Sequence, residues 1–137
     1  MTQLEKIQNH IAEELLCCAE FTNIPIWKNH SFCKQFNAKN ATDIIVNYPL
    51  PKACAEKSNN VFFTNVEVCI EISFQKNITN EIGLLENICR RLHNKKLFGL
   101  DNCGKLLLRK SQPFEFSETS NLRENVKIFF DIDGVLL

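Results

Sequence analysis

Few residues in this sequence break or bend a chain: glycine and proline contribute four each to 137 residues. Four glycines leave little room for a Gly-x-Gly-x-x-Gly fingerprint, a phosphate loop or a Gly-x-Ser-x-Gly elbow, and none of these motifs occurs. The glycines and prolines are scattered and mark no linker, so a single domain is expected over 1–137. Net charge is missing too, because sixteen Lys and Arg cancel sixteen Asp and Glu. Neither a basic nucleic-acid surface nor an acidic disordered tail is therefore announced. No apolar run reaches the roughly eighteen residues of a membrane helix, and the start Met1-Thr-Gln-Leu-Glu-Lys does not read as a secretory signal.

What is present points to a packed globule. Hydrophobic residues make up 45% of the chain, too many for a disordered one. Cysteines stand at 17, 18, 33, 54, 69, 89 and 103, an odd number with no Cys-x-x-Cys, which reads as free thiols in a reducing compartment. The wealth of Asn, Ile, Lys and Phe matches the codon bias of an AT-rich genome and carries no structural message.

Hydrophobic periodicity predicts the elements. Leu4, Ile7, Ile11, Leu15 and Cys18 recur at helical steps, predicting an amphipathic helix over 2–21 with Thr2 and Glu5 spaced as a capping box. Residues 24–40 show no sustained period. A strand is expected over 42–48, with Ile44, Val46 and Tyr48 on one face, stopped by Pro49-Leu-Pro51. Lys52 to Asn60 reads as a polar loop. Val66, Val68, Ile70, Ile72 and Phe74 then alternate with Glu67, Cys69, Glu71, Ser73 and Gln75, the clearest strand of the chain, and Val61 to Phe63 extend it backwards. A second helix is expected over 80–94, with Ile82, Leu85, Cys89 and Leu92 as its stripe, cations at its C-terminal end and Gly99 as terminator. Leu106–Leu108, Phe114 with Phe116, and 125–133 complete the strands. The order helix, strand, strand, helix, strand, short strand, strand predicts an α+β fold. Its form is a two-layer arrangement, with a mostly antiparallel or mixed sheet flanked by two amphipathic helices.

Candidate chemistry is sparse. Phe129-Phe-Asp-Ile-Asp-Gly134 looks like the first motif of haloacid-dehalogenase phosphatases, with Asp131 and Asp133 about 6.6 Å apart on one strand face. That motif needs a following helix and further strands, and with Leu137 as the last residue we expect a final strand followed by a glycine turn. Glu67 and Glu71 share a strand face about 13 Å apart, too far for paired catalytic carboxylates, and are expected on a solvated or subunit-facing surface with Cys69 between them. His30 and Cys33 have the spacing of half a zinc site without a second pair. His10 and His93 are expected at the surface, and Cys17, Cys18 and Cys89 in core packing. Arg90, Arg91, Lys95 and Lys96 are read as helix-end cations, and no aromatic pattern accompanies them for nucleic-acid stacking. No catalytic residue, metal ligand or cofactor is assigned.

The order of elements over 42–133 resembles the tail terminator, or tail completion, proteins of long-tailed bacteriophages. The likeness rests on a strand ending in prolines, Ile44-Ile-Val-Asn-Tyr-Pro-Leu-Pro51, then a polar loop into the long strand Val66–Phe74. A helix from Glu81 to His93 ending in Arg-Arg-Leu-His follows, and a closing run of strands has Pro113-Phe114 before the last one. The resemblance implies a non-enzymatic virion assembly protein. Its partners would be copies of itself in a ring, usually of six, together with the tail tube and the head connector, and its place would be the cytoplasm of a bacterial host and then the virion. An arm from Pro49 to Phe63 would reach a neighbour, and the expected interface residues are Tyr48, Phe62, Phe63, Glu67, Cys69 and Glu71. Two other readings compete. One is a small binding module for a protein or small molecule. The other is a thiol- or metal-dependent enzyme using Cys33, His30 or Cys69.

Overall fold

The computed structural model describes residues 2–29, 41–58, 61–76, 81–97, 104–118 and 123–136, with 53–58, 61–63, 81 and 136 described through their backbone alone. Helix α1 spans Gln3–Leu16, and the Glu5 N–H donates to Thr2 Oγ1 at 3.1 Å to cap it. Its buried stripe is Ile7, Ile11 and Leu15. The helix stops five residues short of the expected end, because Cys18 is extended and a 3₁₀ turn, Ala19–Phe21, follows. In a continuous helix Phe21 would lie about 240° round from Leu15. The break instead turns Phe21 into the core, where it is 2% exposed.

The strands are β1 Ile26–Lys28, β2 Thr42–Val46, β3 Leu50–Ser58, β4 Val61–Gln75, β5 Lys95–Lys96, β6 Lys105–Leu108, β7 Phe114–Glu118 and β8 Arg123–Leu136. Helix α2, Glu81–Leu92, lies between β4 and β5. The described strands form one curled, mixed sheet in the order β1-β2-β4-β8-β6-β5, with β3 on β4 and β7 on β8. Only the β1–β2 pairing is parallel. The expected α+β architecture of two helices and a mixed sheet is therefore present.

Several boundaries differ from expectation, each for a local reason. The polar stretch after Pro51 is a strand, β3, and not a loop. It lies beside β4 alone among the described strands, and its register breaks between Pro51 and Cys54, which is how an outer strand accommodates a proline. An outer strand has little pressure to alternate, so its composition read as a loop. The strand before it ends at Val46, two residues early, leaving Tyr48 in the connection. β1 and β5 are too short to show a period. β8 runs from 123 to 136, longer at both ends than expected, because Gly134 lies inside the strand. Its φ of 69° absorbs a register shift between Thr64 and Val66, making a bulge where a turn was expected.

The core lies between the helices and one sheet face. Ile44 and Val46, Val66, Val68, Ile70 and Ile72, and Val126, Ile128, Phe130 and Ile132 meet α1 and the α2 stripe Leu85, Ile88 and Leu92. Ile82, expected in that stripe, is 55% exposed one turn before it begins. Asn94, with φ 68°, terminates α2 in the left-handed conformation, donating its N–H to the Leu106 carbonyl at 2.7 Å; Gly99 lies outside the described residues. Gly104 is required by closeness, since a Cβ there would strike the Asp133 carbonyl.

Candidate functional site

Residues alternating with the core strands define the second sheet face. Register aligns Ile45, Glu71, Lys127 and Glu115 in one row across β2, β4, β8 and β7, and Asp43, Ser73, Asn125 and Ser117 in the next. The second row holds a buried polar network. Arg123 Nη2 lies 3.2 Å from Asp43 Oδ2 and its Nε donates to Ser73 Oγ at 3.1 Å. Trp27 Nε1 donates to the other Asp43 oxygen at 3.0 Å, and Asn125 Nδ2 donates to Glu71 Oε1 at 2.6 Å. Glu71 is 4% exposed, so it is not the solvated carboxylate expected from strand alternation. Glu67 and Glu71 thus differ in environment, Glu67 partly exposed and Glu71 buried against Asn125.

Beyond this network the face opens into a cleft of about 390 Å³, lined by Asn47, Tyr48, Leu50, Glu67, Cys69, Glu71, Lys127 and Phe129. Four of the expected interface residues, Tyr48, Glu67, Cys69 and Glu71, therefore meet at one place. Tyr48 and Leu50 form an exposed apolar rim, and the Tyr48 hydroxyl shares a hydrogen bond with Thr2 Oγ1 at 3.1 Å. Phe62 and Phe63 pair through their backbones with Glu56 and Ala55 of β3; their side chains lie outside the described residues.

Glu67 sits between two cations, Lys52 at 3.4 Å and Arg109 at 3.6 Å. The Arg109 guanidinium also stacks 4.2 Å over the Phe129 ring and donates to the Ser111 and Gln112 carbonyls at 3.0 and 2.6 Å. This holds a loop that leaves the sheet edge opposite Phe129, whose carbonyl accepts from the Arg109 N–H and whose N–H donates to the Pro113 carbonyl. β6 and β7 are thus one interrupted strand beside β8. Sequence reading missed Arg109, since a lone arginine after three leucines carries no pattern. Asp131 is the register partner of Glu67, and burial, then the Glu67 charge, raise its pKa against the pull of Arg109.

Burial pushes the Cys69 thiol up to about 11, against a hydrogen bond from Asn47 that favours the thiolate. A thiol in that state is protonated at neutral pH and is a weak nucleophile. Cys17, expected in core packing, is exposed, whereas Cys18 is buried and Cys89 half-buried. Among the described residues no group of three or more His, Cys, Asp and Glu side chains gathers as a metal site; His30 and Cys33 lie outside them. Three of the four expected cations at the end of α2 are engaged within the chain. Arg91 and Lys95 meet Glu14 of α1 at 2.9 and 3.2 Å, and Arg90 meets Glu86 at 3.1 Å. His93 is exposed, and its Nδ1 accepts from the Leu108 N–H at 3.0 Å. No described helix is long and apolar enough to cross a membrane.

Compared with known proteins, the chain matches no protein-family model and no curated sequence.

Proposed function

We propose that this chain is a non-enzymatic virion assembly protein of the tail-terminator kind, whose copies form a ring that caps a tail tube and meets the head connector. The observation that supports this reading is the gathering of Tyr48, Glu67, Cys69 and Glu71 at one cleft on the sheet face away from the helices. Leu50, at the start of the β3–β4 hairpin, stands on the rim of the same cleft. The groups there are quenched rather than poised: the Cys69 thiol holds its proton, and Glu67 is matched by Lys52 and Arg109. Such a surface suits contact with another protein more than covalent chemistry.

The test is tube capping. The purified chain is added to polymerising tail-tube protein encoded in the same genome, and tube lengths and ends are read by electron microscopy. Shortened tubes with extra density at one end support the role; unchanged lengths and bare ends overturn it. The double variant Phe62→Ser/Phe63→Ser should abolish oligomers while leaving a folded chain.

The cleft itself favours a second reading, a binding module for a small polar–aromatic ligand seated against Phe129 and Lys127. That reading predicts a chain that ignores tube ends and is protected from heat by a small molecule.

A further inference from the structure

β3 and β7 lie at opposite sides of the central strand pair: β3 beside β4, β7 beside β8, and β4 beside β8. All three pairings are antiparallel, so direction alternates over four strands. Four is an even number. A second copy laid alongside, its sheet facing the same way, therefore brings β3 antiparallel to β7. Among the described residues neither strand has a second neighbour.

The outer edge of β7 is ready to pair. The Phe129 N–H donates to the Pro113 carbonyl at 2.8 Å, which fixes residue 113 as facing β8. By alternation the backbone N–H and C=O groups of Phe114, Phe116 and Glu118 point away from β8. Residues 115–118 are exposed, and Phe116 is 60% exposed. A row of outward donors and acceptors beside an exposed aromatic is a template for another strand.

Charge selects which strand. β7 reads Phe-Glu-Phe-Ser-Glu, with two carboxylates and no cation, whereas β3 reads Leu-Pro-Lys-Ala-Cys-Ala-Glu-Lys-Ser, with two lysines and one glutamate. Pairing β7 with β7, or β3 with β3, sets like net charges together; pairing β7 with β3 sets unlike ones together. Glu118 already meets Lys76 at 3.2 Å and Lys52 already meets Glu67 at 3.4 Å, so Glu115 and Lys57 are the stronger determinants.

We propose that β7 of one copy accepts the β3 edge of a second copy as an added antiparallel strand, joining copies head to tail; this deepens, and rests on, the self-assembly reading. The contact is heterologous, so it closes into a ring when each step rotates and otherwise runs on as a filament.

Sedimentation velocity over a concentration series tests it, with circular dichroism confirming that each variant is folded. The wild type should associate as concentration rises. Phe116→Pro removes an outward N–H and leaves the β8 ladder whole, so it should lose the associated species. Should that variant fail to fold, a charge swap keeps the test: Glu115→Lys/Glu118→Lys alone and Lys57→Glu alone should each stay monomeric, and their mixture should associate. Association unchanged in all these variants overturns the edge pairing and leaves the self-assembly reading standing. A wild type that is monomeric to its solubility limit also overturns the edge pairing, while tube capping judges the assembly role separately.

Discussion

Arg123 carries its charge into a nearly closed setting, with its side chain 11% exposed and that of its partner Asp43 fully buried. Breaking a buried pair strands one charge, which costs more than the pair contributes. Arg123→Leu should therefore lower stability by about 3–5 kcal/mol, read as a fall in the urea midpoint, and Asp43→Leu in the same chain should restore much of it. Asp131 works in the opposite direction. Its folded pKa lies above the ordinary 3.8, so the folded state holds the proton more tightly, and stability is gained as pH falls through the folded pKa toward 3.8. Asp131→Asn should raise Tm at neutral pH, and the difference should vanish below 3.8 in a calorimetric pH series. Cys69, with its thiol at about 11, should be alkylated far more slowly than exposed Cys17 at mildly alkaline pH, and peptide mass spectrometry after timed labelling checks the order.

Among the elements, those legible in the sequence are those with one apolar and one polar face. Val66 to Phe74 alternates because one side meets the helices while the other carries Glu67, Cys69, Glu71 and Ser73 to the cleft and the buried polar network, and α1 shows its stripe because Ile7, Ile11 and Leu15 meet the sheet. Where both faces are apolar, or the strand lies at the side of the sheet, the pattern fails. Ile44 and Ile45 are both fully buried, although they point to opposite faces of β2, and β3 at the side of the sheet has no reason to alternate. The cleft was half legible for the same reason. Strand alternation placed Glu67, Cys69 and Glu71 together, but Lys127 and Phe129 join them only through the register of β8, and Arg109 reaches Glu67 and Phe129 from the loop after β6, neither of which a local pattern encodes. Two element-scale substitutions follow. Ile88→Ala in α2 should cost about 2–5 kcal/mol in urea unfolding. Gly134→Ala, forcing a side chain onto a φ of 69°, should cost about 1–2 kcal/mol.

At the scale of the molecule, the sheet is built from distant parts of the chain. β4 and β8 pair along most of their lengths, and Val66 meets Ile132 half the sequence away. Contacts of that kind are made only after a long loop has closed. Refolding in stopped-flow fluorescence, with Trp27 as the reporter, should therefore fall in roughly the millisecond-to-second range and not in microseconds. The neutral total charge also has a specific form. Glu14 ties the end of α2 to α1 through Arg91 and Lys95, and Glu67 gathers Lys52 and Arg109, so these charges are engaged inside one chain.

The loop between Arg109 and Pro113 leaves the strand ladder and returns to it at a single partner residue, Phe129. The pairing on either side, Leu108 with Phe130 and Phe114 with Ile128, is indifferent to how many residues make the detour. That makes Ser111 a natural port for grafting. A peptide tag spliced there would ride on the outside of an intact sheet, and its cost would fall on the Arg109 clasp over Phe129 and hence on the cleft, giving a handle that loosens one surface while sparing the core.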